Sequence, residues 1–360
     1  AGGNALVAYG RLATAGALVA AITQVLVGFW SDARRRRGSR RVEFYIVGAI
    51  VGCAALALFY GARTLLDLTI ALLLLQAALN VAIGPYQAII PDFVEPSSTG
   101  AASSWMAALQ GAGNAIGALA ASFIVNGRAL AATLGAMVIG TAAITVTHIR
   151  AFPLRETVVS GVPAHRRAFV DLFISRALVY VGFYTLLGYL LFYVGGVLGN
   201  GDPTTVRRTT GIVIVAFTLV GAIGALIAAR PSDRLDKRLV ATVGGAGFVL
   251  ALGLFIGSST LGAIGAATVV AGLGWGVFLV ADWAIACRVL PQNAMAAAMG
   301  IWNLAIVGPQ IVAPALTTLV LVQLKMANQP SAPRVAFALA LIETSLGIAW
   351  LWRLSRCVIR

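Results

Sequence analysis

Long apolar runs alternate with short polar joints along this chain, and eleven of the runs are long enough to cross a bilayer. They cover approximately residues 5–30, 42–60, 64–89, 103–125, 129–149, 168–194, 207–229, 238–257, 261–286, 295–323 and 335–352. A spanning helix needs about 20 mostly apolar residues, so the pattern predicts helices from end to end. Composition agrees: 60% of residues are hydrophobic, 11% are charged, and the mean hydropathy is +0.93. A soluble chain of 360 residues needs a more polar surface than this. The reading is an all-α integral membrane protein, with lipid as its surroundings.

A formal net charge of +14 suggests nucleic acid when taken alone. The positions of the basic residues point elsewhere. Taking alternate joints as opposite faces, one face holds eighteen basic residues: Arg34–Arg37, Arg40, Arg41, Arg150, Arg155, Arg166, Arg167, Arg230, Arg234, Lys237, Arg238, Arg288, Arg353, Arg356 and Arg360. The other holds six: Arg63, Arg128, Arg207, Arg208, Lys325 and Arg334. Arg11 and Arg176 lie inside spans. The richer face is expected in the cytoplasm, which puts the C-terminus there, in a plasma or inner membrane, and leaves no role for nucleic acid. Cys53, Cys287 and Cys357 all lie in or beside spans and form no disulfide framework.

The joint at 150–167, RAFPLRETVVSGVPAHRR, separates five runs from six, and its Pro153, Gly161 and Pro163 disfavour a continuous helix. The expected organisation is a bundle at 1–149, a cytoplasmic joint at 150–167 and a six-helix bundle at 168–360. An internal repeat supports the division. GFWSDARRRRGSRR ends the first run and ALIAARPSDRLDKR ends the seventh, each with Ser-Asp followed by basic residues, so Asp32 and Asp233 correspond. If the bundles are equivalent, the first lacks its opening helix, and eleven visible spans imply a twelfth. The start at Ala1 rather than Met fits the same expectation. Gly48 with Gly52, and Gly113 with Gly117, are spaced to let helix backbones approach.

These features resemble the major facilitator superfamily of secondary transporters, whose signature is Gly, three residues, Asp, then a basic loop. Here it is Gly28, Asp32, Arg34–Arg37, Gly38, Arg40 and Arg41, with Ala33 where a basic residue is usual. IGPYQAIIPDFV at 83–94, FISRALVYVGFY at 173–184, ADWAIACRVLP at 281–291 and MGIWNLAIVGPQIVAPAL at 299–316 resemble the branch of sugar/proton symporters related to sucrose carriers. The resemblance spans the chain. It implies a two-bundle helical fold and alternating-access transport of a small uncharged solute, a sugar or glycoside, with protons. It also implies gating at Gly28, Asp32, Arg40 and Arg41, and in the second bundle at Asp233 and Arg234. No cofactor, metal or oligomer is required.

The residues suggest how such chemistry would be divided. Arg176 lies well inside the sixth span, where a lone charge costs about 2.5–3.5 kcal/mol and faces a cavity or a partner; snorkelling to the nearby span end is the plainer alternative. Carboxylates inside spans favour protonation or pairing. Asp282, within ADWA, is the first candidate for proton coupling, with Arg176, Asp67 and Glu343 beside it, and a structural network with Arg176 is the alternative. Asn80, Gln110, Asn114 and Asn303 are the amides expected to face a hydroxylated solute, although amides also bridge helices. His148 and His165 border the central joint without a Cys/His cluster, and the sequence carries no phosphate loop or nucleophile elbow. That argues against an enzyme. The competing expectation is a non-transporting membrane assembly or sensory protein that keeps the architecture, which Ala33 leaves open.

Overall fold

The computed structural model describes residues 2–124, 126–154, 166–199, 202–290, 295–326 and 329–355. Residues 155–165 of the central joint, His165 among them, lie outside the described residues, as does the side chain of Arg11. The described elements are helical: α1 (Gly2–Arg36), α2 (Val42–Gly61), α3 (Leu65–Tyr86), α4 (Ile89–Phe93), a 3-10 turn at Pro96–Ser98, α5 (Thr99–Phe123), α6 (Gly127–Ala151), α7 (Arg166–Val197), α8 (Pro203–Arg234), α9 (Lys237–Gly257), α10 (Leu261–Val289), α11 (Met295–Gln323) and α12 (Ala332–Leu351). Each of the eleven apolar runs contains one long helix. Among the described residues ten are long and apolar enough to cross a membrane, and α5, at 25 residues, is the eleventh long helix.

Local chemistry sets where the helices begin. Thr64 and Asp67 form a capping box at α3, Asn126 accepts amides at the start of α6, and Asp202 and Asp236 do so for α8 and α9. The ends of α3 and α1 are among the boundaries that differ from the hydrophobic pattern. The third run predicts a helix to residue 89, but α3 stops at Tyr86 and the chain resumes as the short α4. Pro85 lies in the last turn of α3 and supplies no backbone donor there. The first run predicts an end near residue 30, whereas α1 continues to Arg36. Its last turn carries Arg34, Arg35 and Arg36, which suit the negative end of the helix dipole.

The helices pack into two compact units. The first comprises residues 1–95, 116–164 and 290–307; the second comprises 96–115, 165–289 and 308–360. In the first, α3 packs on α1 and α2, and α2 packs on α6. In the second, α10 packs on α8 and α9, and α12 packs on α7 and α9. Small residues set these spacings. A Cβ on Gly48 would meet Ala82 at 2.8 Å, and one on Gly52 would meet Leu79 at 3.4 Å, as their shared face leads one to expect. Gly113 and Gly117 pack differently from the expectation, with nothing within 4 Å of either added Cβ among the described residues.

The outward faces are oily. On α1, Leu18, Ile22, Leu26 and Phe29 form an exposed stripe at helical spacing, and Ile212, Leu219, Ile223, Leu226 and Ile227 do the same on α8. Such a surface needs lipid, so the protein is a multi-pass membrane protein. Within each unit, helix ends also meet as alternating spans require. Arg40, just before α2, donates to the carbonyls of Ile149, Arg150 and Phe152 at the end of α6, at 2.7, 3.1 and 2.7 Å. Arg238, at the start of α9, donates to the Leu354 carbonyl just past α12 at 2.6 Å. Each of these arginines covers carbonyls at the end of a helix.

The tightest approach is between α8 and α10, where a Cβ on Gly276 would fall on the Gly221 carbonyl oxygen. Gly276→Ala should therefore destabilise the protein by about 1–3 kcal/mol through forced separation of the two helices. Gly265→Ala on the same helix, with open space around its Cβ, should be silent. Thermal unfolding of the two purified variants checks the contrast.

Candidate functional site

Two constellations of buried polar groups stand out, one in each unit, and each is assembled from residues distant in sequence.

In the first unit the joint between α1 and α2 folds its charges inward. Arg41 is only 3% exposed and holds a left-handed backbone with φ of 64°, a conformation uncommon for a residue with a side chain. Its guanidinium reaches Asp32 at 2.9 Å and Asp92 at 2.8 Å, and donates to the Ser31 hydroxyl. Asp32 is equally buried. Arg35 adds a longer contact to Asp92 at 3.5 Å. Burial alone would pull the Arg41 pKa down, but Asp92 and Asp32 outweigh it and hold the group above its ordinary value. Gly28, one turn before Asp32, is buried, and Arg34 and Ser39 both donate to Glu43. The short helix α4, which the hydrophobic pattern does not reveal, is what brings Asp92 to this cluster. Arg41 thus neutralises Asp32 despite Ala33 at the usual basic position.

Asp233, the matched acid, does something else. Its carboxylate accepts the backbone amides of Gly100 and Ala101 at 2.6 and 3.0 Å, within the second unit. It therefore caps the N-terminus of α5, where unpaired amides and the helix dipole favour an anion. A Cβ on Gly100 would come within 2.5 Å of that carboxylate, so the approach depends on glycine. Arg234 beside it is exposed.

The second constellation lies along α7. Arg176, 1% exposed, forms an ion pair with Asp282 of α10, itself 1% exposed. The guanidinium lies over the Tyr180 ring, 4.8 Å from its centroid, and reaches the Tyr180 hydroxyl at 3.4 Å. Arg176 is therefore paired within the protein and does not snorkel. Tyr180 sits edge-on to Trp275, which stacks on Phe183 with ring centroids 4.2 Å apart. One turn along, the Tyr184 hydroxyl accepts from Gln310 of α11 at 2.7 Å. Next to it Thr185 contacts both Thr317 of α11, at 3.2 Å, and the Glu343 carboxylate of α12, at 3.3 Å.

The other expected site residues are scattered. Asn303 donates to Gln24 at 2.8 Å, and Gln24 is 2% exposed, its own amide nitrogen unpartnered among the described residues. Asn80 is buried and donates to the Gln76 carbonyl of its own helix at 2.8 Å. Gln110 and Asn114 lie on exposed positions of α5. Asp67 is a correction: the sequence counts it among carboxylates inside spans, but it is an exposed first-turn residue committed to capping α3 through Thr64. Sequence reasoning passes over Gln24, Asp92, Thr185 and Thr317. A glutamine or threonine in an apolar run carries no signal until its partner helix is known.

The family described as Major Facilitator Superfamily matches residues 3–314. No curated protein matches the chain. Among solved structures, a bacterial homologue of the iron transporter ferroportin, outward-facing with soaked iron, superposes with a TM-score of 0.72 at 14% identity, over 97% of this chain and 90% of the other. A proton:xylose symporter of the same superfamily, bound to 6-bromo-6-deoxy-D-glucose, gives 0.71 at 11% identity, over 98% and 87%. A human organic anion transporter gives 0.67 at 12%, over 93% and 83%. At these identities the likeness is one of fold.

Breaking the first constellation should be costly. Arg41→Ala removes one guanidinium from two carboxylates and should lower stability by about 3–5 kcal/mol, as loss of one partner of a buried pair does. Arg41→Lys, a point charge without the fork that reaches both acids, should recover only part of it. Unfolding midpoints of detergent-purified variants provide the measurement.

Proposed function

The chain belongs to the major facilitator superfamily, and from that premise we propose that the small solute it carries by alternating access is a sugar or glycoside driven by protons. It is a transporter, not a catalytic enzyme, with a two-bundle all-α fold. The observation that carries the finer reading is the row on α7: a buried Arg176–Asp282 pair seated on Tyr180, followed by Tyr184 held by Gln310. Directional donors and acceptors beside aromatic faces suit a hydroxylated, uncharged solute. The strings at 83–94, 173–184, 281–291 and 299–316, which resemble sugar/proton symporters, support the same class.

The parts take roles in that cycle. We read 1–149 and 168–360 as the two bundles, joined through 150–167, with Tyr180, Tyr184 and Gln310 as the groups that meet the solute in the second unit. Gln110 and Asn114 are kept as candidate amides for the same role. Asp32 with Arg41, Arg40 on the α6 carbonyls, Gly28 beneath them, and Asp233 with Arg234 in the second half form the gating elements. Their contacts are the ones to be made and broken as access alternates. The basic-rich face, which carries Arg40, Arg238 and the C-terminus, is cytoplasmic in a plasma or inner membrane. The intact pairing of Asp32 favours a working carrier over a non-transporting assembly, because the loss at Ala33 is compensated by Arg41.

Uptake into sealed vesicles under imposed pH gradients, across a panel of sugars and other uncharged solutes, tests the reading. Uptake indifferent to the gradient rejects proton coupling, and no movement of any solute rejects the carrier. Asp282→Asn should depress concentrative uptake and solute exchange together, by a factor on the order of 10 or more, because it strands the Arg176 charge. A loss confined to concentrative uptake would instead make Asp282 the proton carrier.

A further inference from the structure

Glu343 is the carboxylate that the described charges leave over. It lies near the middle of α12, inside a membrane-spanning helix, and is half-buried. Among the described residues it forms no ion pair. The charged groups on the packed helices are engaged elsewhere. On α7, Asp171 meets Trp350 and Arg353, and Arg176 holds Asp282. On α9, Arg238 binds Asp236 and the Leu354 carbonyl, and Lys237 lies in the same first turn, at the far end of the helix from the middle of the membrane. α11 carries no charged residue, and Arg334, on α12 itself, donates to the Ser258 carbonyl. Tyr184, Tyr189 and Tyr193 of α7 bond to Gln310, Thr318 and the α9 carbonyl end.

What Glu343 meets is the Thr185 hydroxyl, which in turn contacts Thr317. Thr185 and Thr317 are 1% and 0% exposed, and the three oxygens form a chain with spacings of 3.3 and 3.2 Å. The carboxylate and the two hydroxyls present oxygens, the donor type that hard cations take. The oxygens come from α7, α11 and α12.

We propose that Glu343, Thr185 and Thr317 form a monovalent-cation site that seats the coupling ion, either the proton of the reading above or a sodium ion in its place. A bare carboxylate at this depth needs one positive charge, and an exchangeable one is what alternating access can harness. The proposal rests on the carrier reading for its role in coupling, but ion binding itself can be tested without any solute.

The variant is Glu343→Gln, which keeps the shape of the protonated acid. Purified wild-type protein should show a thermal midpoint or tryptophan emission that responds to sodium against choline, or to pH in sodium-free buffer, and the variant should lose that response. Sodium dependence assigns the metal ion and pH dependence alone assigns the proton. For the sodium case, Thr185→Val with Thr317→Val should raise the half-saturating concentration about tenfold; for the proton case it should shift the pH midpoint. In vesicles, Glu343→Gln should lose gradient-driven accumulation at least about tenfold while counterflow exchange stays within about twofold. Accumulation or ion response equal to wild type overturns the site. If Glu343→Gln fails to insert, the double threonine variant decides by the same readouts. A wild type that moves no solute overturns the carrier reading alone, and the ion response of the purified protein still decides the site.

Discussion

A charge taken out of water has to be neutralised, and that constraint organises the polar architecture of this chain. Lipid offers neither water nor counter-ion, so a buried charge is drawn to a partner on another element. Arg41 gathers Asp32 and Asp92 from α1 and α4, and Arg176 takes Asp282 from α10. The same rule applies to partial charges. Arg40 and Arg238 cover the carbonyl ends of α6 and α12, while Asp233 covers the amide end of α5. Most of these contacts connect elements far apart in sequence, and a buried pair must first offset its own desolvation before it adds stability.

The internal repeat looks different once the contacts are known. In sequence its mark is Ser-Asp before a basic run. In the fold, the arginines that follow make similar contacts, Arg40 to the carbonyl end of α6 and Arg238 to a carbonyl just past α12. The acids have diverged: Asp32 is held by arginine, whereas Asp233 holds backbone amides. A carboxylate satisfied by amides needs no counter-charge nearby, which fits Arg234 standing exposed.

The helices are legible in the sequence because lipid imposes a length and a composition on every span, and eleven apolar runs become eleven long helices. The superfamily is legible through Gly28, Asp32 and the arginines, whose spacing places them at one helix end. Three things are not. The break after Tyr86 is hidden because a span and a span plus one short helix have the same hydropathy, yet that break delivers Asp92. Asp67 reads as a carboxylate in a span because it stands two residues inside α3, where Thr64 turns it into a cap. Amides in apolar runs are equally ambiguous: Asn80 bonds to its own helix, while Gln24 is the partner of Asn303. Pairing between helices is a property of packing, and packing leaves little trace in a single sequence.

The distribution of satisfied charges bears directly on how a gradient could be used. Asp282 is already neutralised by Arg176, and removing either partner leaves the other uncompensated in a dry interior, so the pair is suited to shaping a surface rather than to taking up an ion. An acid facing hydroxyls alone has no such penalty on taking up a cation, because neutralising it strands no opposite charge. An ion held at the proposed site would change the cost of closing the protein around its cargo, and that difference is what coupling requires. A division of labour between a locked pair and a loosely held acid follows from electrostatics in a low-dielectric interior.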